Sequence, residues 1–87
     1  MSLKQRIQLW CSQYGISPAK SRGQNFLISD FVYRAIVTAA DLTASDTVIE
    51  VGTGFGFLTK LLAERAKHVI SFEIDKKIAF AASEILK

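Results

Sequence analysis

The sequence predicts an α/β fold built on one strand–helix–strand unit with parallel strands. A β-branched run at residues 47–51 is typical of a buried strand, and three glycines on alternate positions end it. A helical pattern follows, and residues 68–73 then form a second apolar run. Two strands joined by a helix make a right-handed crossover with both strands pointing the same way.

The length of the chain limits this fold. Its 87 residues hold one such unit with flanking helices, but not a full doubly wound sheet. Residues 85–87 continue a helical pattern without a stop signal, so we expect the front part of a longer protein that continues beyond Lys87. We divide it into residues 1–28, an N-terminal helix and a Gly-Gln-Asn-Phe-Leu motif, and residues 29–87, which alternate helices with the two strands.

Composition excludes several classes of protein. The formal net charge of +3 is compatible with RNA binding but is weak support alone. Cys11 is the single cysteine, which excludes a disulfide framework and a cysteine zinc site, and favours a cytoplasmic protein. We expect Cys11 and His68 to be structural, and no metal site. No apolar run is long enough to span a membrane, and the first 13 residues lack a secretory apolar region.

Helix boundaries can be predicted from capping signals. An amphipathic helix should end at Tyr14, with Gly15 after its last turn, and residues 16–19 should form a connector because Pro18 disfavours helix before it. A second helix should begin after Ser29 or Asp30 and reach Ala40, and its apolar residues at helical spacing are Phe31, Ile36, Val37 and Ala40. A last helix should have Asp75 as its N-cap. The apolar residues on the predicted inner face of the first helix are Leu3, Ile7, Trp10 and Cys11.

The glycine turn differs from the dinucleotide-binding fingerprint. Glycines at Gly52, Gly54 and Gly56 give G-x-G-x-G, and Phe57 stands where G-x-G-x-x-G has its third glycine. Glu50, two residues before the first glycine, disfavours a pyrophosphate and favours a ligand with an ammonium group. S-adenosylmethionine has such a group and no phosphate. The alternative is a glycine turn without a ligand.

A second acid stands at the end of the second predicted strand. Glu73 lies 21 residues after Gly52, and in nucleotide-binding α/β folds an acid about 20 residues beyond the first glycines accepts from ribose hydroxyls. The alternative is an ordinary surface carboxylate.

Residues 20–27, Lys-Ser-Arg-Gly-Gln-Asn-Phe-Leu, form the other informative stretch. Its amides suit hydrogen bonding to a polar ligand, and Lys20 and Arg22 are candidate RNA phosphate contacts. From the pattern alone, a solvated loop with an apolar anchor remains the simpler interpretation.

Taken together, these stretches make the chain resemble the ribosomal RNA adenine dimethyltransferases, in particular the small-subunit rRNA branch, over about residues 14–87. The shared motifs are Tyr-Gly-Ile at residues 14–16, Gly-Gln-Asn-Phe-Leu at 23–27, Glu-Val-Gly-Thr-Gly at 50–54 and Phe-Glu-Ile-Asp at 72–75. The resemblance implies a Rossmann-like S-adenosylmethionine methyltransferase fold, here truncated after its first βαβ unit. It also implies dimethylation of adenines in small-subunit ribosomal RNA, with that RNA or a pre-ribosomal particle as partner.

The same resemblance implies roles for individual residues. Asn25 and Leu27 would contact the cofactor, the glycines beginning at Gly52 would lie against its methionine part, Glu73 would hold the ribose, and Glu50 would act on the ammonium end.

Two departures from the family pattern bear on function. Thr53 stands where many relatives have proline. The Asn-(Leu/Ile)-Pro-(Tyr/Phe) motif that holds the target base in the family is not present either, and we expect it to lie beyond Lys87. No catalytic residue is therefore predicted in this chain.

The missing motif limits what the chain should do alone. We expect the 87 residues to bind RNA and cofactor weakly, to be inactive, and to form an oligomer or a domain-swapped assembly. The alternatives for the intact protein are a methyltransferase acting on another RNA or a small molecule, and a non-catalytic RNA-binding or assembly factor on the same fold.

Overall fold

The computed structural model describes residues 1–17 and 29–87. The residues predicted as cofactor or RNA contacts in the N-terminal motif, Lys20, Arg22, Asn25 and Leu27, lie outside the described residues. None of the helices in the described ranges has the length and apolar character needed to cross a membrane. The elements in chain order are α1 (Leu3–Tyr14), α2 (Asp30–Ala40), β1 (Thr47–Val51), α3 (Phe57–Ala63), β2 (His68–Phe72) and α4 (Lys76–Ile85).

The two strands form a parallel sheet, which confirms the predicted strand–helix–strand unit. Their register pairs Thr47 with His68 at one end and Val51 with Phe72 at the other. The second strand ends at Phe72, one residue earlier than predicted. Glu73 therefore follows the last ladder position and lies beside the turn that leaves β1.

The predicted helix ends are confirmed, because local side chains satisfy the free backbone groups there. Ser29 accepts a hydrogen bond from the N–H three residues later, and Asp75 does the same for α4. Gly15 ends α1 with a φ of 67°, in the left-handed region that glycine adopts without strain. A capping box between Ser2 and Gln5, which was not predicted, begins α1.

The hydrophobic core lies where α1 packs against α4 and the glycine turn. Phe55, from the turn itself, is 1% exposed and stacks its ring obliquely on Trp10 at a centroid distance of 5.5 Å. Ile16 is also buried, although it was predicted only as part of a connector. The buried residues of this cluster are Ile7, Cys11, Ile16, Phe55, Ile78 and Ala81.

The apolar face of α2 is rotated from the one its spacing predicted. Phe31, Ile36, Val37 and Ala40 recur at helical spacing, but only Val37 is buried, together with Tyr33. Phe31 projects outward and is 81% exposed. Tyr33 turns inward because its ring stacks on that of Phe57, at a centroid distance of 6.0 Å.

The prediction of a buried first strand was wrong for three of its five residues. Thr47, Ile49 and Val51 are exposed, whereas Glu50 is buried between the last two. Side chains alternate between the two faces of a strand, and the described helices that contact the sheet residues lie on one face only. The β-branched composition therefore predicted a strand correctly but did not predict its burial.

Candidate functional site

The glycine turn begins as an extension of the sheet. The N–H of Gly52 donates to the carbonyl of Phe72 at 2.7 Å, and the N–H of Thr53 donates to the same oxygen at 3.2 Å. Beyond this point Gly52, Gly54 and Gly56 have φ values of 89°, 57° and 87°. These are left-handed conformations that residues with a Cβ adopt only at a cost, so this path requires glycines.

Glu73 connects the glycine turn to the end of β2. Its Oε1 accepts from the N–H of Gly54 at 3.0 Å, and its Oε2 accepts from the N–H of Asp75 at 3.0 Å. A carboxylate oxygen has two lone pairs, so each oxygen retains acceptor capacity for a further donor. The carboxylate thus both anchors the turn and can accept hydrogen bonds from a ligand there.

Glu50 is held in a network of hydroxyl groups. It is 8% exposed, and its Oε1 accepts from Ser71 Oγ at 2.7 Å and from Thr59 Oγ1. Ser71 Oγ also lies 2.5 Å from Thr53 Oγ1. A hydroxyl has a single hydrogen, so Ser71 donates to Glu50 and accepts from Thr53. This chain fixes the carboxylate and connects it to the glycine turn.

The position of Glu50 follows from the register of the sheet. Glu50 and Ser71 are partners across the two strands and point to the same face. Thr59, in the first turn of α3, reaches the same carboxylate from the helix. Neither hydroxyl was predicted as part of the site; the available signal was a serine interrupting the apolar run of β2.

The charge of Glu50 also affects its surroundings. The pKa of Tyr33 is raised from its ordinary value of 10.0, first by burial of the phenol and second by the negative charge of Glu50. Tyr33 therefore stays protonated at neutral pH and adds no second negative charge to the inner face of the sheet.

The two ends of the glycine turn face different surroundings. A Cβ built on Gly56 would lie 2.8 Å from Leu86 Cδ1, whereas one built on Gly52 would meet no atom within 4 Å among residues 1–17 and 29–87. Within that described part of the chain, the space near Gly52 is open to a ligand, and Gly56 packs against the end of α4. Beside the turn is a cleft of about 210 Å³, lined by Thr53, Ser71, Glu73, Ala79, Ala82, Ser83 and Leu86.

Five of the predicted site residues thus lie at one end of the sheet: Glu50, Gly52, Gly54, Gly56 and Glu73. Because the strands are parallel, both carboxyl ends meet at this edge, where ligands bind in open α/β sheets. Within residues 1–17 and 29–87, no group of three or more His, Cys, Asp or Glu side chains could hold a metal ion.

The last residue, Lys87, does not belong to this site. In the sequence, Lys87 is only the residue beyond which the motif that holds the target base is expected. No catalytic or binding role is predicted for Lys87. In the structure its Nζ pairs with Glu84 Oε2 at 3.2 Å, and its side chain is exposed after the end of α4. An exposed pair of this kind stabilises a helix end only slightly, so we assign Lys87 no part in catalysis or cofactor binding.

Comparisons with known proteins identify relatives of the chain. A sequence profile described as "Ribosomal RNA adenine dimethylase" matches residues 17–87. A "Ribosomal RNA small subunit methyltransferase A" from Pediococcus pentosaceus is 49% identical over 81 residues, which are 93% of this chain and 27% of that protein. A protein of the same name from Pelotomaculum thermopropionicum is 47% identical over 75 residues, or 86% of this chain and 25% of that one.

A solved structure supports the same assignment. The crystal structure of a dimethyladenosine transferase from Plasmodium falciparum superposes with a TM-score of 0.66 and 34% sequence identity, covering 70% of this chain and 23% of that one. The parallel sheet and glycine turn therefore form a truncated Rossmann-like methyltransferase fold. The chain spans about a quarter of the length of the curated relatives it matches. Because the family profile matches most of its residues, the chain belongs to the ribosomal RNA adenine dimethylase family.

Proposed function

We propose that the intact protein dimethylates adenines of small-subunit ribosomal RNA with S-adenosylmethionine as methyl donor, in the cytoplasm. The 87-residue chain is the front part of its cofactor-binding domain. The observation that carries the proposal is the Glu73 carboxylate, held 3.0 Å from the Gly54 N–H beside a left-handed glycine turn. The names of the relatives, which specify ribosomal RNA methylation and dimethyladenosine transfer, support the reaction and substrate.

The described residues fit the proposed cofactor. The open space at Gly52 accommodates a ligand that approaches the backbone closely, and Glu73 offers both oxygens to a vicinal diol such as that of a ribose. When bound, S-adenosylmethionine supplies a methyl group already activated by a sulfonium. The protein therefore has mainly to align the groups that react and to exclude competing geometries.

Glu50 is proposed to bind the ammonium end of the cofactor. Among the described residues, both recorded donors to its carboxylate, Ser71 and Thr59, bind Oε1, so Oε2 is the oxygen that we assign to a cation. The hydroxyl network holds this negative charge in a fixed position inside the protein, and a preorganised charge attracts a cation more strongly than a mobile, solvated one.

The N-terminal motif completes the proposal. Asn25 and Leu27 are proposed cofactor contacts, and Lys20 and Arg22 are proposed RNA contacts, on the family resemblance of residues 20–27. The residues that hold the target adenine are not assigned to this chain, so the chain alone is expected to be inactive and to bind RNA and cofactor weakly.

The activity can be tested with the full-length protein that contains this chain. Incubation with methyl-labelled S-adenosylmethionine and under-methylated small ribosomal subunits should place label in adenine, read as dimethyladenosine after nuclease digestion. Label in another base, or in no RNA, would contradict the proposed reaction.

The proposed role of Glu73 is tested by Glu73→Gln in the same protein. The amide keeps an acceptor for the Gly54 N–H but loses one of two acceptor oxygens, so cofactor affinity should fall by about 1–3 kcal/mol, measured by calorimetry. The matched control is Glu64→Gln, because Glu64 is exposed and lies at the opposite end of α3 from the glycine turn. Equal affinities for the wild type and Glu73→Gln would remove the ribose assignment.

A further inference from the structure

The two hydroxyls that lead from the glycine turn to Glu50 are ordered in one direction. An ionised carboxylate only accepts hydrogen bonds, and Ser71 Oγ donates its single hydrogen to Glu50 Oε1 at 2.7 Å. The hydrogen between Ser71 Oγ and Thr53 Oγ1, which lie 2.5 Å apart, therefore comes from Thr53. Both hydrogens point towards the carboxylate, so a residue of the glycine turn helps to stabilise the negative charge of Glu50.

The backbone of Thr53 is held independently of its hydroxyl. Its N–H donates to the carbonyl of Phe72 at 3.2 Å, and its own carbonyl accepts from the N–H of Gly56 at 3.0 Å. These two bonds join the turn to β2 and close it before α3 begins. The path of the turn therefore does not depend on the Thr53 hydroxyl, whose hydrogen bond to Ser71 acts on the carboxylate instead.

The donors to Glu50 decide which of its oxygens remains available. Among the described residues, Ser71 on β2 and Thr59 on α3 both donate to Oε1. The last torsion of a glutamate side chain is otherwise broad, and rotation about it exchanges the two oxygens. With Oε1 bound from two elements, the carboxylate has one orientation and presents Oε2 in a defined direction. Thr53 strengthens this arrangement, because a hydroxyl that accepts a hydrogen bond becomes a better donor.

We infer that Thr53 and Ser71 are positioning residues for the recognition of an ammonium group, because they hold Glu50 with Oε2 directed at that cation. The inference rests on the proposed function, in which the ammonium belongs to S-adenosylmethionine. It extends that function by making the ammonium contact depend on a hydroxyl of the glycine turn. Ser71 acts on the carboxylate directly and Thr53 acts through Ser71, so loss of the Ser71 hydroxyl has the larger effect.

Two ligands separate this positioning role from general support of the site. S-adenosylhomocysteine carries the ammonium group, and its analogue without the α-amino group keeps the adenine, the ribose and the carboxylate. Both are titrated by calorimetry into the full-length protein that contains this chain. A residue that only supports the turn affects the two ligands equally, whereas a residue that positions Glu50 for a cation affects only S-adenosylhomocysteine.

The first variant is Thr53→Val, which keeps the β-branched shape and removes the hydroxyl. Its affinity for S-adenosylhomocysteine should fall about three- to tenfold, as for the loss of one hydrogen bond, and its affinity for the deaminated analogue should change less than about twofold. Thr53→Ser keeps a hydroxyl and should bind both ligands like the wild type. Binding of the analogue also reports that each variant is folded.

Ser71→Ala and Ser83→Ala form a second, matched pair. Both serines line the cleft beside the turn, but the Ser83 hydroxyl donates to the carbonyl of Phe80 at 2.7 Å rather than towards Glu50. Ser71→Ala should weaken binding of S-adenosylhomocysteine about tenfold or more and leave the analogue unaffected, because a direct donor to the carboxylate is lost. Ser83→Ala should change neither affinity.

The outcomes distinguish this inference from the proposed function. Equal weakening of both ligands by Thr53→Val and Ser71→Ala, or no weakening of either ligand, would overturn the positioning role and leave the proposed function in place. A wild type that does not bind S-adenosylhomocysteine would overturn the proposed function, and this inference with it.

Discussion

At the carboxyl end of the sheet, the two faces differ in a direction opposite to the usual one. There the covered face presents Glu50 and Ser71, which are polar, while the other, outer face presents Val51 and Phe72, which are large, apolar and exposed. Nearer the start of the strands the order is the usual one, with Val48 and Val69 on the covered face and Thr47 and His68 on the other. In most proteins the polar face is solvated and the apolar face is buried. Glu50 is buried together with hydrogen-bond partners, whereas the large apolar side chains of the other face are exposed among the described residues.

Each face is physically consistent once its partners are considered. A buried carboxylate is tolerated when its oxygens are hydrogen bonded, and Glu50 accepts from two hydroxyls. Among residues 1–17 and 29–87, no element covers the apolar side chains of the outer face. Three pairs of variants test this contrast, beginning with the largest expected effect.

Two phenylalanines that lie near the carboxyl ends of the strands should differ most. Phe55 is 1% exposed and Phe72 is 57% exposed. Phe55→Ala should lower the free energy of unfolding by about 3–5 kcal/mol, because it leaves a cavity between α1 and α4. Phe72→Ala should lower it by less than about 1 kcal/mol in the monomer, since little packing is lost. Urea unfolding at low protein concentration measures both, and equal losses would remove the contrast between the core and the outer face of the sheet.

The hydroxyl network on the inner face should contribute an intermediate amount. Ser71→Ala removes a donor to the buried Glu50 carboxylate, so the free energy of unfolding should fall by about 1–3 kcal/mol. Ser83→Ala is the matched control, because the Ser83 hydroxyl bonds to a carbonyl on the exposed side of α4 and its loss should cost less than about 0.5 kcal/mol. If both variants lost the same stability, the buried network would have no special role.

Two glycines of the turn should give the smallest difference. Gly52 and Gly56 have nearly equal φ values of 89° and 87°, so alanine at either position should cost about 1–2 kcal/mol in backbone strain. Gly56→Ala should cost more than Gly52→Ala, since its Cβ would also have to displace the Leu86 side chain. Thermal unfolding of the two variants side by side measures the difference. A larger loss at Gly52 would contradict the packing of α4 on the turn.

Much of the candidate site could be predicted because its signals are local. The alternate glycines, the acid at the end of each strand and the caps at Ser29 and Asp75 act over a few residues, where chain chemistry dominates. Parallel pairing could also be predicted, because a helix between two strands permits little else. These features are sufficient to place Glu50, Gly54 and Glu73 at the same edge of the sheet.

Two features depended on contacts between residues distant in the sequence. The hydroxyls of Thr59 and Ser71 meet Glu50 only once β1, β2 and α3 are assembled, and the one local signal is the serine that interrupts the apolar run of β2. Phe55 is the centre of the core because α1 and α4 converge on the glycine turn, although its sequence position suggests an exposed loop.

The sequence by itself therefore determined the elements, their caps, the parallel unit and the residues at its carboxyl edge. The tertiary structure decided which face of each element is buried. A β-branched strand has the same local preference whether one face or both are covered, and burial depends on neighbours that the strand does not encode. That is why Val51 was predicted to be buried and is exposed, while Glu50, one residue earlier, is the member of the strand that is enclosed.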